Sequence, residues 1–204
     1  MVFSYRLDAP AASIARAFGC VAGKDPWSGG PVGPGQFAPV ITAGREFVAG
    51  ARQERQPRRL VPRLWGVPPP PSAPDQRRAV LTVRNPDSPF WIGNLRNSEF
   101  RCLVPATSFA EWGDGTDTEG RRLRHLFGAG DGGLLAMAGV WKDAEVPGFA
   151  LVTCPARGEA RALGVERLPV IVPRAGHDLW LYGGWDRAGA LIAPAPEGAL
   201  RLLD

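Results

Sequence analysis

The strongest limit on what this chain can fold into is set by its short β-rich runs, each cut off by a cluster of turn formers. Such runs occur at Ala79 to Arg84, Arg101 to Val104, Leu123 to Phe127, Leu134 to Trp141, Phe149 to Cys154 and Leu168 to Val172. Between them lie clusters such as Gly113-Asp-Gly-Thr116 and Gly130-Asp-Gly-Gly133, where glycine and aspartate favour reversal of the chain. Ala38 to Thr42 reads as a further strand, after a Gly/Pro-rich connection from Lys24 to Phe37. Strands this short, rejoined by turns, predict a mostly antiparallel sheet.

Helices interrupt this pattern. Asp8 and Pro10 stand where a helix would begin, Ile14 and Phe18 share one face and Gly19 closes it, so residues 9 to 18 predict a short amphipathic helix. Further helical turns are predicted at Pro89 to Leu95, Arg157 to Leu163 and Arg174 to Tyr182, the last with Leu179 and Trp180 available for burial. The predicted class is α+β and β-rich. At 204 residues, one domain spanning 1–204 is expected.

A hydrophobic content of 45% with seven Trp fits a packed protein rather than a disordered one. No run approaches the ~20 apolar residues that cross a bilayer, and Met1 to Gly19 lacks a basic start followed by an apolar stretch. A cytoplasmic protein with no membrane partner is the expectation. Cys20, Cys102 and Cys154 form no CxxC pair and have only two histidines to help them, so neither a structural metal nor a disulfide scaffold is expected, and each reads as a small apolar residue.

The net charge of +4 is carried almost wholly by arginine, since Lys24 and Lys142 are the only lysines. Arginine suits bidentate phosphate contacts and stacking on bases, although codon bias in a GC-rich genome accounts for it equally well. Arg52 to Arg63 holds five arginines, and with the four prolines Pro68 to Pro71 behind it this stretch reads as a surface excursion. Neither GxxxxGK[ST] nor GxGxxG occurs, so no nucleotide cofactor is expected.

Four separated segments carry a resemblance: MVFSYRLDAPAASIARAFG; RLVPRLWGVPPPP; VRNPDSPFW with RCLVPATSFAEW; and MAGVW followed by FALVTC and LPVIV. In this order they resemble the SRAP family (SOS-response-associated peptidase; abasic-site processing), most specifically in Arg101-Cys-Leu-Val-Pro-Ala-Thr-Ser-Phe-Ala-Glu-Trp112. The resemblance implies a barrel-like fold with a groove for single-stranded DNA, in which an N-terminal cysteine captures the aldehyde of an abasic site. An α-amine and an aldehyde give an imine, and a thiol on the same residue closes onto it as a thiazolidine.

Here Val2 stands where the resemblance requires that cysteine, so stable crosslinking is expected to be lost, and the family's self-cleaving peptidase step has no evident purpose. The family's Asn-X-Arg clamp corresponds to Thr82-Val-Arg84. Arg84 keeps its capacity to grip phosphate, with an ion pair at a strand end as the other reading. The family's histidine falls near Gly164 or Val165, neither of which transfers a proton. His125 and His177 lie away from that slot in sequence and read as surface residues. Glu111 is the one family catalytic residue retained, placed either to exchange protons with an imine or as a structural carboxylate. Trp65 occupies the family's aromatic position near DNA, where a stacked base is worth ~1–3 kcal/mol; the core is its other destination.

Three functions follow. A monomeric binder of single-stranded or abasic DNA, close to a pseudo-enzyme, is the first. The second is a residual imine-forming lyase acting through the Val2 α-amine once Met1 is removed. The third is a non-enzymatic interaction module. If Arg84 and the Arg52 to Arg63 cluster line one concave face with Trp65, the first gains; if they scatter or pair with acids, the third does.

Overall fold

The computed structural model of the chain describes residues 4–44 and 56–203. In order the elements are β1 (Ser4–Leu7), α1 (Ala11–Phe18), β2 (Gly30–Val32), β3 (Phe37–Thr42), β4 (Arg59–Trp65), β5 (Thr82–Val83), α2 (Ile92–Arg96), β6 (Arg101–Ala106), β7 (Ser108–Thr116), β8 (Arg122–Ala129), β9 (Leu135–Lys142), β10 (Gly148–Pro155), α3 (Gly158–Ala162), β11 (Arg167–Pro169), α4 (His177–Tyr182), α5 (Trp185–Ala188) and β12 (Leu200–Leu202). The predicted α+β, mostly antiparallel class is what forms. One sheet runs β12-β8-β7-β1-β2. The other runs β11-β10-β4-β3-β6-β9, and the pairing of β9 with β10 closes it into a ring. Only the β10–β4 and β10–β5 pairs are parallel.

Helix α1 ends as its sequence requires: Gly19 adopts φ 59°, a left-handed conformation that glycine enters without strain, and its N–H reaches the Ala15 and Arg16 carbonyls. Ile14 and Phe18 are buried beneath it. Several strands depart from prediction. Arg59–Trp65, inside the stretch that reads as a surface excursion, is the interior strand β4, with Leu60 and Val61 buried between β3 and β10. Arg52 and Arg55 of that stretch lie outside the described residues. Ala79 to Arg84 contracts to β5 plus a single bridge of Val67 with Val80. Leu168 to Val172 contracts to β11 and a bridge of Ile171 with Met137. Strand β7 passes straight through Gly113-Asp-Gly-Thr116, absorbing these turn formers as an irregularity between Trp112 and Thr116.

The most specific sequence motif begins as core. All six residues of β6 are buried. Its first, Arg101, has 0% exposure and donates from Nε to the Trp180 carbonyl at 2.6 Å, from Nη1 to Leu95 at 2.9 Å and from Nη2 to the Gly183 carbonyl. Trp180 returns a hydrogen bond from its indole to the Cys102 carbonyl at 2.8 Å. One guanidinium thus ties α2, α4 and the turn before α5 onto the ring. The glycine of Met137-Ala-Gly-Val-Trp141 has a matching reason: a Cβ on Gly139 would lie 2.8 Å from the Cys102 sulfur and 2.9 Å from a Val104 methyl, so any larger residue would push β9 away from β6.

Replacing Arg101 with Met should cost about 3 kcal/mol or more, because three buried carbonyls lose a charged donor together. Lys should not restore the loss, since one ammonium cannot span three acceptors. Urea unfolding of the three proteins checks this; equal midpoints would show that Arg101 is dispensable to the helical layer.

Candidate functional site

Strands β7 and β8 set the site. Their ladder places Phe109 opposite Phe127, Glu111 opposite His125 and Trp112 opposite Arg124. Directly opposed residues point to the same face with Cβ atoms ~4.5–5.5 Å apart. The rung two residues earlier shows this contact, since the Phe109 and Phe127 rings stack at 5.4 Å. Glu111 and His125 therefore stand side by side on the inner face, at 0% and 8% exposure.

Beyond Glu111 the strand needs Gly113. A Cβ there would fall 2.7 Å from His125 Nε2 and collide with the Leu163 carbonyl. The imidazole thus occupies the space that the glycine leaves open beneath the turn after α3. Next along, Asp114 packs against Gly164, whose φ of +78° and 2.6 Å approach of its missing Cβ to the Asp114 amide exclude any side chain. A histidine at Gly164 is sterically barred, and Val165 is fully buried.

Burial pushes the Glu111 carboxyl from its ordinary 4.5 up to about 7, against the Trp112 amide, which favours the charged form. A carboxyl that exchanges its proton near neutral pH suits general acid–base work. The ladder also opposes Ser4 to Ala110, so the first described residue enters one rung from Glu111. Val2 lies outside the described residues.

The same turn carries a second cluster at its far end. Arg167 donates to Thr153 Oγ1 at 3.0 Å, to the Thr153 carbonyl at 2.6 Å and to the Arg84 carbonyl at 3.1 Å. Burial and the neighbouring Arg84 both lower its pKa. Two guanidinium groups thus press on one cavity of about 100 Å³, lined by Thr82, Arg84, Thr153, Glu166 and Arg167. Arg84 meets Glu166 at 3.8 Å with both side chains well exposed, a contact weak enough for an incoming anion to displace. Thr82 and Arg84 both line this cavity. Sequence reasoning missed Arg167 and Thr153, whose signal was only their later placement beside β5.

Three sequence expectations are corrected. Trp65 is at 0% exposure, stacked between Tyr5 at 5.2 Å and Phe149 at 6.4 Å, with its indole donating to the Leu81 carbonyl at 3.2 Å. It presents no face to a base, because β4 is interior. His125 is buried in the site rather than on the surface. His177 is buried too, stacked on Phe18 at 5.3 Å, and burial with Arg58 beside it lowers its pKa to about 4, so it stays neutral and is no proton donor at neutral pH. The thiols are quiet: Cys102 and Cys154 are buried, and burial raises half-buried Cys20 to about 11. The larger cavities, about 580 and 640 Å³, lie around Phe18, Arg174 and His177.

The described part of the arginine cluster disperses. Arg58 binds the Phe18 carbonyl at 2.7 Å and pairs with Asp178, while Arg63 lies 4.6 Å over the Trp141 ring. Arg84 and Arg167 converge on the small cavity instead.

A model of the family described as SOS response associated peptidase (SRAP) matches residues 1–203. Among solved structures, a protein from Bordetella bronchiseptica superposes with a TM-score of 0.73 at 17% identity, covering 98% of this chain and 97% of that one. One from Bacteroides thetaiotaomicron gives 0.72 at 16%, covering 98% and 90%. A phage-related protein from Bordetella bronchiseptica gives 0.71 at 19%, covering 98% and 92%. These likenesses speak for the fold. No match to a curated protein reaches significance.

Because Glu111 keeps its proton to about pH 7 when folded but only to its ordinary 4.5 when unfolded, it adds stability that is complete below pH 4.5 and lost as pH rises through 7. Glu111→Gln, which does not ionise, should flatten this decline and gain up to about 3 kcal/mol at pH 8. Urea midpoints across pH 4.5 to 8 measure it, and parallel curves for the two proteins would refute the buried carboxyl.

Proposed function

The chain belongs to the SOS response associated peptidase family, which ties it to the DNA-damage response in general, and from that premise we propose that it engages single-stranded DNA at abasic sites without forming a lasting crosslink. One observation carries the reading: a single turn, residues 163 to 167, backs the Glu111–His125 pair at one end and supplies Arg167 to the two-arginine cavity at the other. Arg84 and Arg167 are suited to hold a backbone phosphate, with Thr82 as a hydroxyl donor where the family has an amide. Glu111 is suited to exchange a proton with the sugar aldehyde at the neighbouring position. Val2 supplies no thiol, so an imine formed there hydrolyses back rather than closing to a thiazolidine.

Support for DNA binding comes from this pair rather than from the Arg52 to Arg63 stretch, whose Arg58 and Arg63 are engaged by Asp178 and Trp141. The exposed Arg84–Glu166 contact counts toward the interaction-module alternative only if it holds against phosphate. Affinity for single-stranded DNA should fall steeply with added salt as arginine contacts release counterions, and Arg84→Ala should weaken binding and reduce the salt slope by about one. Fluorescence anisotropy at several salt concentrations tests this; no affinity at low salt would favour the interaction module.

A residual imine-forming activity is favoured by one further feature. Ser4, which follows Val2 by two positions in the sequence, sits one rung from Glu111. Borohydride should trap a small fraction of protein on abasic single-stranded DNA, with no heat-stable adduct in its absence, and acetylating the amine should abolish trapping. A mass spectrum showing Met1 retained, or trapping that survives acetylation, would rule the amine out.

A further inference from the structure

Two cavities of about 580 and 640 Å³ share Phe18, Arg174 and His177 in their walls. Neither has a residue in common with the small cavity at Arg84 and Arg167. Among the described residues the first carries three guanidinium groups, from Arg16, Arg58 and Arg174, against one carboxylate, Asp178. Arg58 is fixed in place: it donates to the Phe18 carbonyl at 2.7 Å and pairs with Asp178, and only 17% of its side chain is exposed. That engages two of the five donors a guanidinium has. Arg16 and Arg174 are exposed. Arg16 reaches Ser13 at 3.4 Å, and among the described residues neither arginine forms an ion pair. Burial, with Arg58 and Arg174 adding to it, keeps His177 uncharged between them. The second cavity differs in character. Leu134, Leu135, Ile171 and Val172 give it an apolar wall, and Asp131 and Glu197 make it unfavourable to an anion.

We propose that this cleft binds a small phosphomonoester, its phosphate among Arg16, Arg58 and Arg174 and its apolar body in the second cavity. Uncompensated guanidinium charge around a concavity focuses the field on an anion. A phosphomonoester dianion brings two charges and three terminal oxygens to it, whereas a carboxylate brings one charge and two oxygens. Arg58 is the preorganised donor, held by the Phe18 carbonyl and Asp178. Arg16 and Arg174 trade water for the ligand from exposed positions. Asp131 and Glu197 set the orientation, since they repel the phosphate from the far end. They also disfavour a diester chain, whose next phosphate would have to pass them. The Phe18 and His177 rings, stacked at 5.3 Å, stand where the two cavities meet and offer the body an uncharged surface. This site is independent of the DNA reading above.

Calorimetric titration of the whole protein at pH 8 with phenyl phosphate, inorganic phosphate and phenol tests the site. Phenyl phosphate should bind, inorganic phosphate should bind more weakly to the same site, and phenol should give no signal. Arg174→Ala and Arg16→Ala, both at exposed positions that leave the core intact, should each weaken phenyl phosphate at least about tenfold, as the loss of a charge-assisted hydrogen bond does. Affinity of Arg174→Ala for single-stranded DNA should stay at the parent's value. No binding of either phosphate overturns the proposal, and so does parental affinity in both variants, which would put the anion elsewhere. Equal affinity for phenyl phosphate and inorganic phosphate overturns the part given to the second cavity. Displacement of phenyl phosphate by an unphosphorylated single strand would show that the cleft is a stretch of the DNA path, which also overturns it.

Discussion

Arg101 is the interaction on which the layout rests. A guanidinium at 0% exposure survives in a protein core only when its donors are met by well-placed acceptors, and here those acceptors are the backbone carbonyls of Leu95, Trp180 and Gly183. The demand is mutual. Helices α2 and α4 are five and six residues long, too short to be stable alone, and their terminal carbonyls need a donor that the sheet provides. Fixing them to β6 in turn fixes the ring of strands around Leu103 and Met137, and that ring is the wall against which β1 and β7 pack.

The site is a consequence of two local surrenders of regularity. Gly113 gives up a side chain so that an imidazole fits between β7 and the turn after α3, and Gly164 takes a left-handed conformation so that the turn closes onto Asp114. Each weakens its element taken alone. Together they bring an imidazole and the Asp114 carboxyl against one five-residue stretch, whose last residue, Arg167, lines a small cavity with Arg84. Burial raises Glu111, the same burial that costs stability above pH 7, so fitness for proton transfer and a penalty on folding are one physical effect.

Much of the fold was legible. The strands β3, β6, β8, β9 and β10 and the helix α1 follow from alternation, turn formers and a C-terminal glycine, all of them local signals. What the sequence concealed was non-local. Arginine-rich β4 looks like surface because of Arg59 and Arg63, and only pairing on both edges with β3 and β10 makes it interior, with Leu60 and Val61 buried. Strand β7 hides behind Gly113-Asp-Gly-Thr116 because a bulge and a turn use the same residues. Of the candidate site, Thr82, Arg84 and Glu111 stand in motifs legible in the sequence, whereas the places of His125 and Arg167 follow from strand pairing that no local pattern marks.

The sequence by itself determined the α+β class, the family and which residue types stand at positions 2, 84 and 111, because these depend on residue identity and on patterns a few residues long. Only the tertiary structure decided that Trp65 is core, that His125 stands beside Glu111 and that Arg167 joins Arg84. Those outcomes depend on which strands become neighbours and in what register. A ladder with a two-residue period sends a side chain to the opposite face for a slip of one residue, so the partners of a buried group are set by long-range pairing that no local pattern encodes.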